Sequence, residues 1–456
     1  MKIKNLGPIK DGEIEFNNLV VIWGDNNSGK TMLTYLLYAI KEEFKSFKFE
    51  LSKLSKKTHD YHNYINKGSK IFISNDEILD LYKNFQNYFE REASVLLAKY
   101  FAVDVEYFKD FKIKFSDHEI FDAMPMKRKI SRGFTRIIGD GKTIENTFLF
   151  KKIKEGVEFH LEKQEIDGEL LEFDNSSLTD KMIKKVFTRE TFDAYLSGFF
   201  KHMTNSASNI YFPAERVGIN QFREELKLSR ASKTPELDEI EFSYQNNKSA
   251  PYRSYPLPVE DYIKYIFSIS SIKYRQPIRK NVRKRKNLQD ILEGEFIYNK
   301  DINDYEYLSE NCERHIPFKI MSSSLKSMFG LSEYLNRLHP MVSGGSITID
   351  EPEMNLHPSK QVKLIEELTE LISNSNINMV LSTHSSFIAR KLINIVLKND
   401  SSVINGRVFK NENLNIYETI DGGLRKINLL KDHSYIDNFD VTSLKLDEEY
   451  FSLLGD

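Results

Sequence analysis

The run Gly24-Asp25-Asn26-Asn27-Ser28-Gly29-Lys30-Thr31 constrains this chain more than any other feature. It fits G-x-x-x-x-G-K-[ST], and its flanks fit as well. Leu19-Val20-Val21-Ile22-Trp23 before it is short, apolar and β-branched, which reads as a buried strand. Met32 to Ile40 after it, free of Gly and Pro, reads as a buried helix. The two glycines let the backbone curl until its N–H groups point at a β-phosphate, and a helix N-terminus adds a favourable dipole. Gly24, Asn26, Asn27, Ser28 and Gly29 are therefore expected to line a nucleoside triphosphate. Lys30 is expected to reach the β- and γ-phosphates, and the Thr31 hydroxyl to ligate Mg²⁺.

Bulk properties narrow the setting. A net charge of -2 points to neither nucleic acid nor membrane, so any such binding must come from local patches. The single Cys312 excludes an intramolecular disulfide and a cysteine-rich zinc site, as suits a reducing cytoplasm. The N-terminus lacks a signal-peptide core, and no apolar run approaches the ~20 residues of a membrane span. A soluble cytoplasmic protein is expected.

Residues 1–44 read as a compact opening unit, with strands at Lys2 to Leu6 and Glu13 to Phe16 around Gly7-Pro8 and Asp11-Gly12 turns. Tight helix and strand patterning returns from about Phe318. The middle is Lys-, Asn- and Phe-rich, with strand-like runs at Phe111–Phe115, Val157–Leu161 and Leu170–Phe173 and helical patterns at Asp76 to Lys99 and Leu178 to Met203. No repeat of fixed period and no coiled-coil heptads stand out, so the middle reads as a folded insertion rather than a rod. The expected parts are residues 1–44 with 318–456, an inserted α+β domain at 45–205, and an arm and hairpin region at 206–317.

The second informative stretch is Ser346-Ile347-Thr348-Ile349-Asp350-Glu351-Pro352-Glu353, a core strand ending in two carboxylates. An acidic residue at such a strand tip can hold Mg²⁺ through water, the Walker B role, which makes Asp350 the metal candidate. Glu351 could polarise the attacking water as general base. Downstream come Asn355-Leu356-His357-Pro358, a helical stretch from Ser359 to Leu371, and an apolar strand Met379-Val380-Leu381 ending in Ser382-Thr383-His384-Ser385. His384, at that strand tip, could hydrogen-bond a γ-phosphate.

A phosphate loop near one end, DEPExxLHP near the other and a following STHS together resemble the ABC-type ATPases of the OLD, RecF and SMC kind. The resemblance implies an α/β fold, a P-loop NTPase head of ABC type with a mixed β-sheet, and a large α+β insertion between Walker A and the signature. It implies ATP and Mg²⁺ as ligands and two heads that sandwich two nucleotides, a signature helix from one capping the γ-phosphate held by the other. The signature counterpart here is Met321-Ser322-Ser323-Ser324-Leu325-Lys326-Ser327, with serines replacing the usual glycine pair. Ser322, Ser323 and Ser324 would donate to phosphate, and Ser322 also suits an ordinary N-cap. Ile210-Tyr211-Phe212-Pro213-Ala214-Glu215-Arg216 resembles a strand-plus-PAER element of OLD-like ATPases from bacterial defence loci. Leu292 to Phe296 with Ile316-Pro317 resembles the hairpin before their signature. Gln221 stands as the Q-loop candidate.

Lys30 and Asp350 lie 320 positions apart, too far for an AAA+ motor or a small GTPase and compatible with an ABC-type insertion. The run 273–286, KYRQPIRKNVRKRK, carries eight Lys or Arg, which suits a nucleic-acid or phosphate patch or a solvated loop. Too little chain follows His384 for the TOPRIM nuclease fused in OLD proteins; what remains reads as a hairpin around Asp421-Gly422-Gly423 and an acidic, apolar tail, Leu444 to Leu454. The expected function is thus an ATP-hydrolysing switch that dimerises around Mg·ATP and controls a separate effector, a nuclease or toxin, as in the stand-alone ATPases of PARIS- or Septu-like antiphage systems. Two alternatives stay open: a RecF- or SMC-like head acting on DNA, and a nucleotide-bound scaffold with negligible turnover.

Overall fold

The chain begins with a hairpin of β1 (Lys2–Leu6) and β2 (Ile9–Glu13), closed by Gly7-Pro8 with Leu6 opposite Ile9. The second strand thus starts four residues earlier than Glu13 to Phe16. Asp11 and Gly12 are no turn but ladder partners of Lys4 and Ile3. A two-residue connection leaves no slack before pairing resumes, and burying Ile9 fixes the register. The computed structural model describes residues 1–49, 71–116, 130–138, 142–153, 155–165, 197–198, 208–226, 228, 255–269, 286–310, 314–338, 345–375, 377–400, 409–428 and 437–454. The expected strand at Leu170–Phe173, Cys312 and residues 273–285 of the basic run lie outside these, as does all of the expected helix Leu178 to Met203 except residues 197–198.

Two units emerge: Met1–Lys41 with Glu92–Lys114 and Ser208–Asp456, and Glu42–Arg91 with Phe115–Ala207. The stretches 92–114 and 208–317 therefore group with the two segments expected to form the head. Their strands explain this, since β5 and β9 below extend its sheet.

In chain order, β3 (Leu19–Gly24) leads into α1 (Lys30–Ser46), and β4 (Ile71–Ser74) into α2 (Asn75–Phe101). The short β5 (Lys112–Lys114) follows, then β6 (Ile130–Ile138), β7 (Lys142–Ile153) and β8 (Gly156–Glu165). The second unit holds an antiparallel sheet ordered β4-β8-β7-β6. The same unit has an aromatic cluster, with Phe44 stacked on Tyr82 at 5.6 Å and edge-on to Phe85 at 4.9 Å. Phe49, Phe85 and Phe89 are buried, so these rings of the middle are taken up by packing.

The first unit continues with β9 (Asn209–Phe212), α3 (Arg216–Gln221), α4 (Leu257–Ile269) and α5 (Lys286–Leu292). A small antiparallel sheet comes next: β10 (Gly294–Asn299), β11 (Asp304–Ser309) and β12 (His315–Pro317). Then come α6 (Ser323–Glu333), a π-helical turn at Tyr334–Leu338, and β13 (Gly345–Asp350). The last elements are α7 (Pro358–Asn374), β14 (Ile377–Thr383), α8 (Ser386–Asp400), β15 (Leu414–Ile420), β16 (Gly423–Ile427) and α9 (Asp437–Leu454), which takes up the acidic tail. No helix among the described residues is long and apolar enough to cross a membrane.

Among the described residues the main sheet has nine strands in the order β5-β1-β2-β16-β15-β3-β14-β13-β9, so it is mixed as expected. Its heart, β15-β3-β14-β13-β9, is parallel. β3, β13 and β14 are buried along nearly their whole length, β3 as a continuous apolar run and β13 with Ser346, Thr348 and Asp350 as deep as its isoleucines. The parallel register sets Asp350 beside Ser382, and Thr383 beside Trp23, so three strands end at one level. Crevices at the carboxyl ends of parallel strands are where α/β sheets bind ligands.

Candidate functional site

The phosphate-binding loop follows from β3. Gly24 has φ 147°, and a Cβ there would come within 2.1 Å of the Thr419 hydroxyl. Gly29 has φ 97° and its Cβ would press on Ile9 at 3.0 Å. Both positions need glycine, for conformation and for space. Asn27 is also left-handed at φ 63°, tolerable for an Asn, and it lies exposed with Asp25 and Asn26 at the crown of the loop. Ser28 bonds the Thr419 hydroxyl, which in turn donates to the Trp23 carbonyl, pinning the loop to β15.

Lys30 is 6% exposed, and its ammonium donates to the carbonyls of Gly24 at 2.9 Å and Asp25 at 2.7 Å. Burial lowers its pKa, opposed by the charges of Glu351, Asp350, Glu353 and Asp25. A cation held among carboxylates at a loop of N–H groups is arranged to receive a polyanion.

Thr31 Oγ1 donates to Asp350 Oδ2 at 2.9 Å, joining groups 319 positions apart. The other Asp350 oxygen accepts from Ser382 Oγ. Burial raises the Asp350 pKa, while the Ser382 and Thr31 hydrogen bonds counter it. Among the described residues, no group of three or more His, Cys, Asp or Glu could hold a metal. Thr31 and Asp350 offer only two protein oxygens side by side. That set suits Mg²⁺, which keeps its waters and takes further ligands from phosphates, and does not suit an all-protein cage.

Glu351 carries the site's backbone strain, with φ 49° in the left-handed region at a cost of about 1–3 kcal/mol for a non-glycine residue. Its N–H donates to the Ser382 carbonyl at 3.1 Å. Its carboxylate lies 3.5 Å from His384 Nδ1. That contact lowers the Glu351 pKa and raises the His384 pKa, so the two favour an ion pair. His384 therefore faces both Glu351 and Glu353, the latter at 3.4 Å.

The structure brings Lys30, Thr31, Asp350, Glu351 and His384 together at the strand ends. Ser322, Ser323 and Ser324 sit apart, at the start of α6. Ser322 and Ser323 are exposed, and Ser322 acts as N-cap, accepting from the Leu325 N–H at 3.3 Å. Gln221 is the exposed last residue of α3. Of the basic run only Lys286 is described, opening α5.

Two residues without an expected role belong to the network. Glu353 is buried and accepts from the Thr383 hydroxyl and the His384 N–H at 2.8 and 2.9 Å, steering the turn that carries His384. Arg216, buried below β13, donates to the carbonyls of Asp350 and Glu351. The available signal was, for Arg216, its place in the PAER run after a buried strand and, for Glu353, its place in DEPE.

The solved structures that resemble this one include three SMC heads, each at low similarity. The Smc head domain with an extended coiled coil bound to the C-terminal domain of ScpA, from Pyrococcus furiosus, shares 10% identity over 96% of this chain and 98% of its own, with a TM-score of 0.32. The SmcHead bound to the C-winged helix domain of ScpA shares 11% over 93% and 95%, at 0.30. The SMC head domain from Thermotoga maritima shares 11% over 93% and 97%, at 0.25. No curated protein matches the chain. A glycine loop on the parallel strand β3, bonded through Thr31 to the acidic end of β13 one strand beyond its neighbour β14, accords with the family model that matches residues 1–389, and by that match the chain belongs to the AAA ATPase domain family.

Proposed function

We propose that this chain hydrolyses ATP with Mg²⁺, pairs with a second copy around the bound nucleotides, and so acts as a switch for a separate effector. The observation that carries the hydrolytic part is the Thr31–Asp350 hydrogen bond, because it joins the phosphate loop to the strand whose next residue is Glu351. Lys30 and the N–H groups of Gly24, Asn26, Asn27, Ser28 and Gly29 bind the phosphates. Thr31 and Asp350 would hold Mg²⁺, which when bound would supply charge neutralisation for the phosphates. Water attacks the γ-phosphorus, the bond to the bridging oxygen breaks, and Glu351 takes the water's proton. His384 holds the γ-phosphate.

Pairing is supported by the position of Ser322–Ser324 at an exposed helix start, where N–H groups and hydroxyls can meet phosphate from another molecule. The effector role rests on the resemblance of the DEPE, STHS and PAER elements to stand-alone ATPases of antiphage defence. The basic run at 273–286 supports the other reading, a head acting on DNA. Phosphate release by wild type and Glu351→Gln tests the core. Release from wild type alone is expected, and equal rates would overturn the assignment of Glu351. DNA-stimulated turnover would favour the second reading, and co-purification of a stoichiometric protein from the native host the first.

A further inference from the structure

The geometry points to Arg216 as the positioning residue that sets Glu351 in its catalytic pose and ties that pose to α6, the helix that would face the second copy. The inference rests on the reading of Glu351 as general base. Arg216 is 2% exposed, and its guanidinium reaches three separate segments. Nη1 donates to the carbonyls of Pro213 at 3.0 Å and Asp350 at 2.8 Å, and Nη2 donates to that of Glu351 at 2.7 Å. Nε donates to Ser327 of α6, at 3.1 Å to the hydroxyl and 3.3 Å to the carbonyl. Ser327 Oγ in turn donates to the Met354 carbonyl at 3.0 Å, in the turn just after Glu351.

This pattern is unusual for a buried arginine. Its fork meets backbone carbonyls and a hydroxyl, while its nearest charges, Glu353, Asp350 and Glu351, act on it through space. Burying a guanidinium this way is costly unless each donor is matched, and a planar five-donor group matches several carbonyls at fixed angles where an ammonium cannot. What it fixes is specific. The Glu351 N–H is held by Ser382 and its carbonyl by Arg216, so both sides of a left-handed residue are clamped. Neighbouring contacts reinforce the link: Asn220, also on α3, donates to the Lys326 carbonyl of α6 at 2.7 Å. Phe329 then seats α6 among Phe296, Tyr305 and Phe318 at 4.9–5.1 Å. A shift of α6 on meeting a second copy therefore reaches the Glu351 backbone through one guanidinium.

The test is a double-mutant cycle of Arg216→Lys and Glu351→Gln in the full chain. It reads equilibrium binding of a fluorescent ATP analogue and single-turnover hydrolysis. Arg216→Lys should leave nucleotide affinity within about three-fold and cut the hydrolysis rate roughly 10- to 100-fold. In the Glu351→Gln background it should add less than about two-fold, since its effect passes through Glu351. Wild-type hydrolysis by Arg216→Lys, or losses that multiply in the double variant, would overturn the inference. If Glu351→Gln itself hydrolysed at the wild-type rate, the parent reading would fall instead. Should Arg216→Lys not fold, Ser327→Ala, a small change, serves in its place. It should slow hydrolysis several-fold at unchanged affinity, and a wild-type rate would refute the link to α6.

Discussion

The ends of β3, β13 and β14 and the start of α6 both carry residues expected to touch phosphate, yet they differ in how far the single chain completes them. At the strand ends most of the polar atoms are matched within the chain: Lys30 to the loop carbonyls, Asp350 to Thr31 and Ser382, and one Glu353 oxygen to Thr383, its other oxygen being buried without a partner among the described residues. At α6, Ser322 and Ser323 are exposed, and the bond Ser322 makes is the cap of its own helix. A preorganised cluster indicates the place where chemistry is set up in advance. An exposed helix start, with N–H groups directed outward, indicates a surface that another molecule completes. On the proposed reading, the difference corresponds to one half of a site set within the chain and one half that a second copy would complete.

The largest effect that could break this comparison is at Lys30. Lys30→Ala should abolish nucleotide binding and reduce hydrolysis about 10³-fold, measured by calorimetry and phosphate release. Retained binding would show that the strand-end half is not the phosphate site. Next comes Glu351→Gln, which should slow hydrolysis about 10²-fold while ATP still binds, and should accumulate an ATP-bound oligomer on size exclusion with light scattering. A monomer under those conditions would count against the second half of the comparison. Ser323→Ala with Ser324→Ala should spare ATP binding by the isolated chain but lower hydrolysis roughly ten-fold, as hydrogen bonds to a charged phosphate are lost. Because Ser323 is exposed and Ser322 keeps the cap, the melting temperature should hardly move, and a large drop would recast the serines as structural.

The smallest effect concerns pH. His384 has a raised pKa, so its contribution to stability is full below its ordinary 6.5 and fades as pH rises through the raised value. Glu351 has a lowered pKa, so its share is full above its ordinary 4.5 and fades as pH falls through the lowered value. Without nucleotide and metal, the melting temperature of wild type should therefore fall more steeply above pH 6.5 than that of His384→Gln. The difference should be slight, because the imidazole is half exposed. Parallel curves would remove the ion pair from the account.

Much of the strand-end half was legible in the sequence because its signals are local. A β-branched strand, a glycine loop and a helix occur in one short run, and Asp350-Glu351 and His384 each follow an apolar strand. The register that sets Asp350 beside Ser382 then needs only parallel pairing. What escaped reading depends on contacts between distant segments. Arg216 meets Ser327 and Asp350 over separations of 111 and 134 residues, and no periodicity records such a meeting. Glu353 sat in plain view, but its role appears only when Thr383 and His384 fold over it. The misplaced β2 had a different cause. Asp11-Gly12 carries turn chemistry, and pairing with β1 overrode it.

The central claim, that a working site takes its phosphate loop from one chain and its serines from another, is tested most directly by mixing two impaired variants. Lys30→Ala lacks the loop half and Ser323→Ala/Ser324→Ala lacks the helix half. Their mixed dimer contains one site with both halves intact. Mixing equal amounts should restore roughly a quarter of the wild-type ATPase rate, the statistical share for a two-fold dimer. A mixture no more active than the average of its two components would contradict the claim.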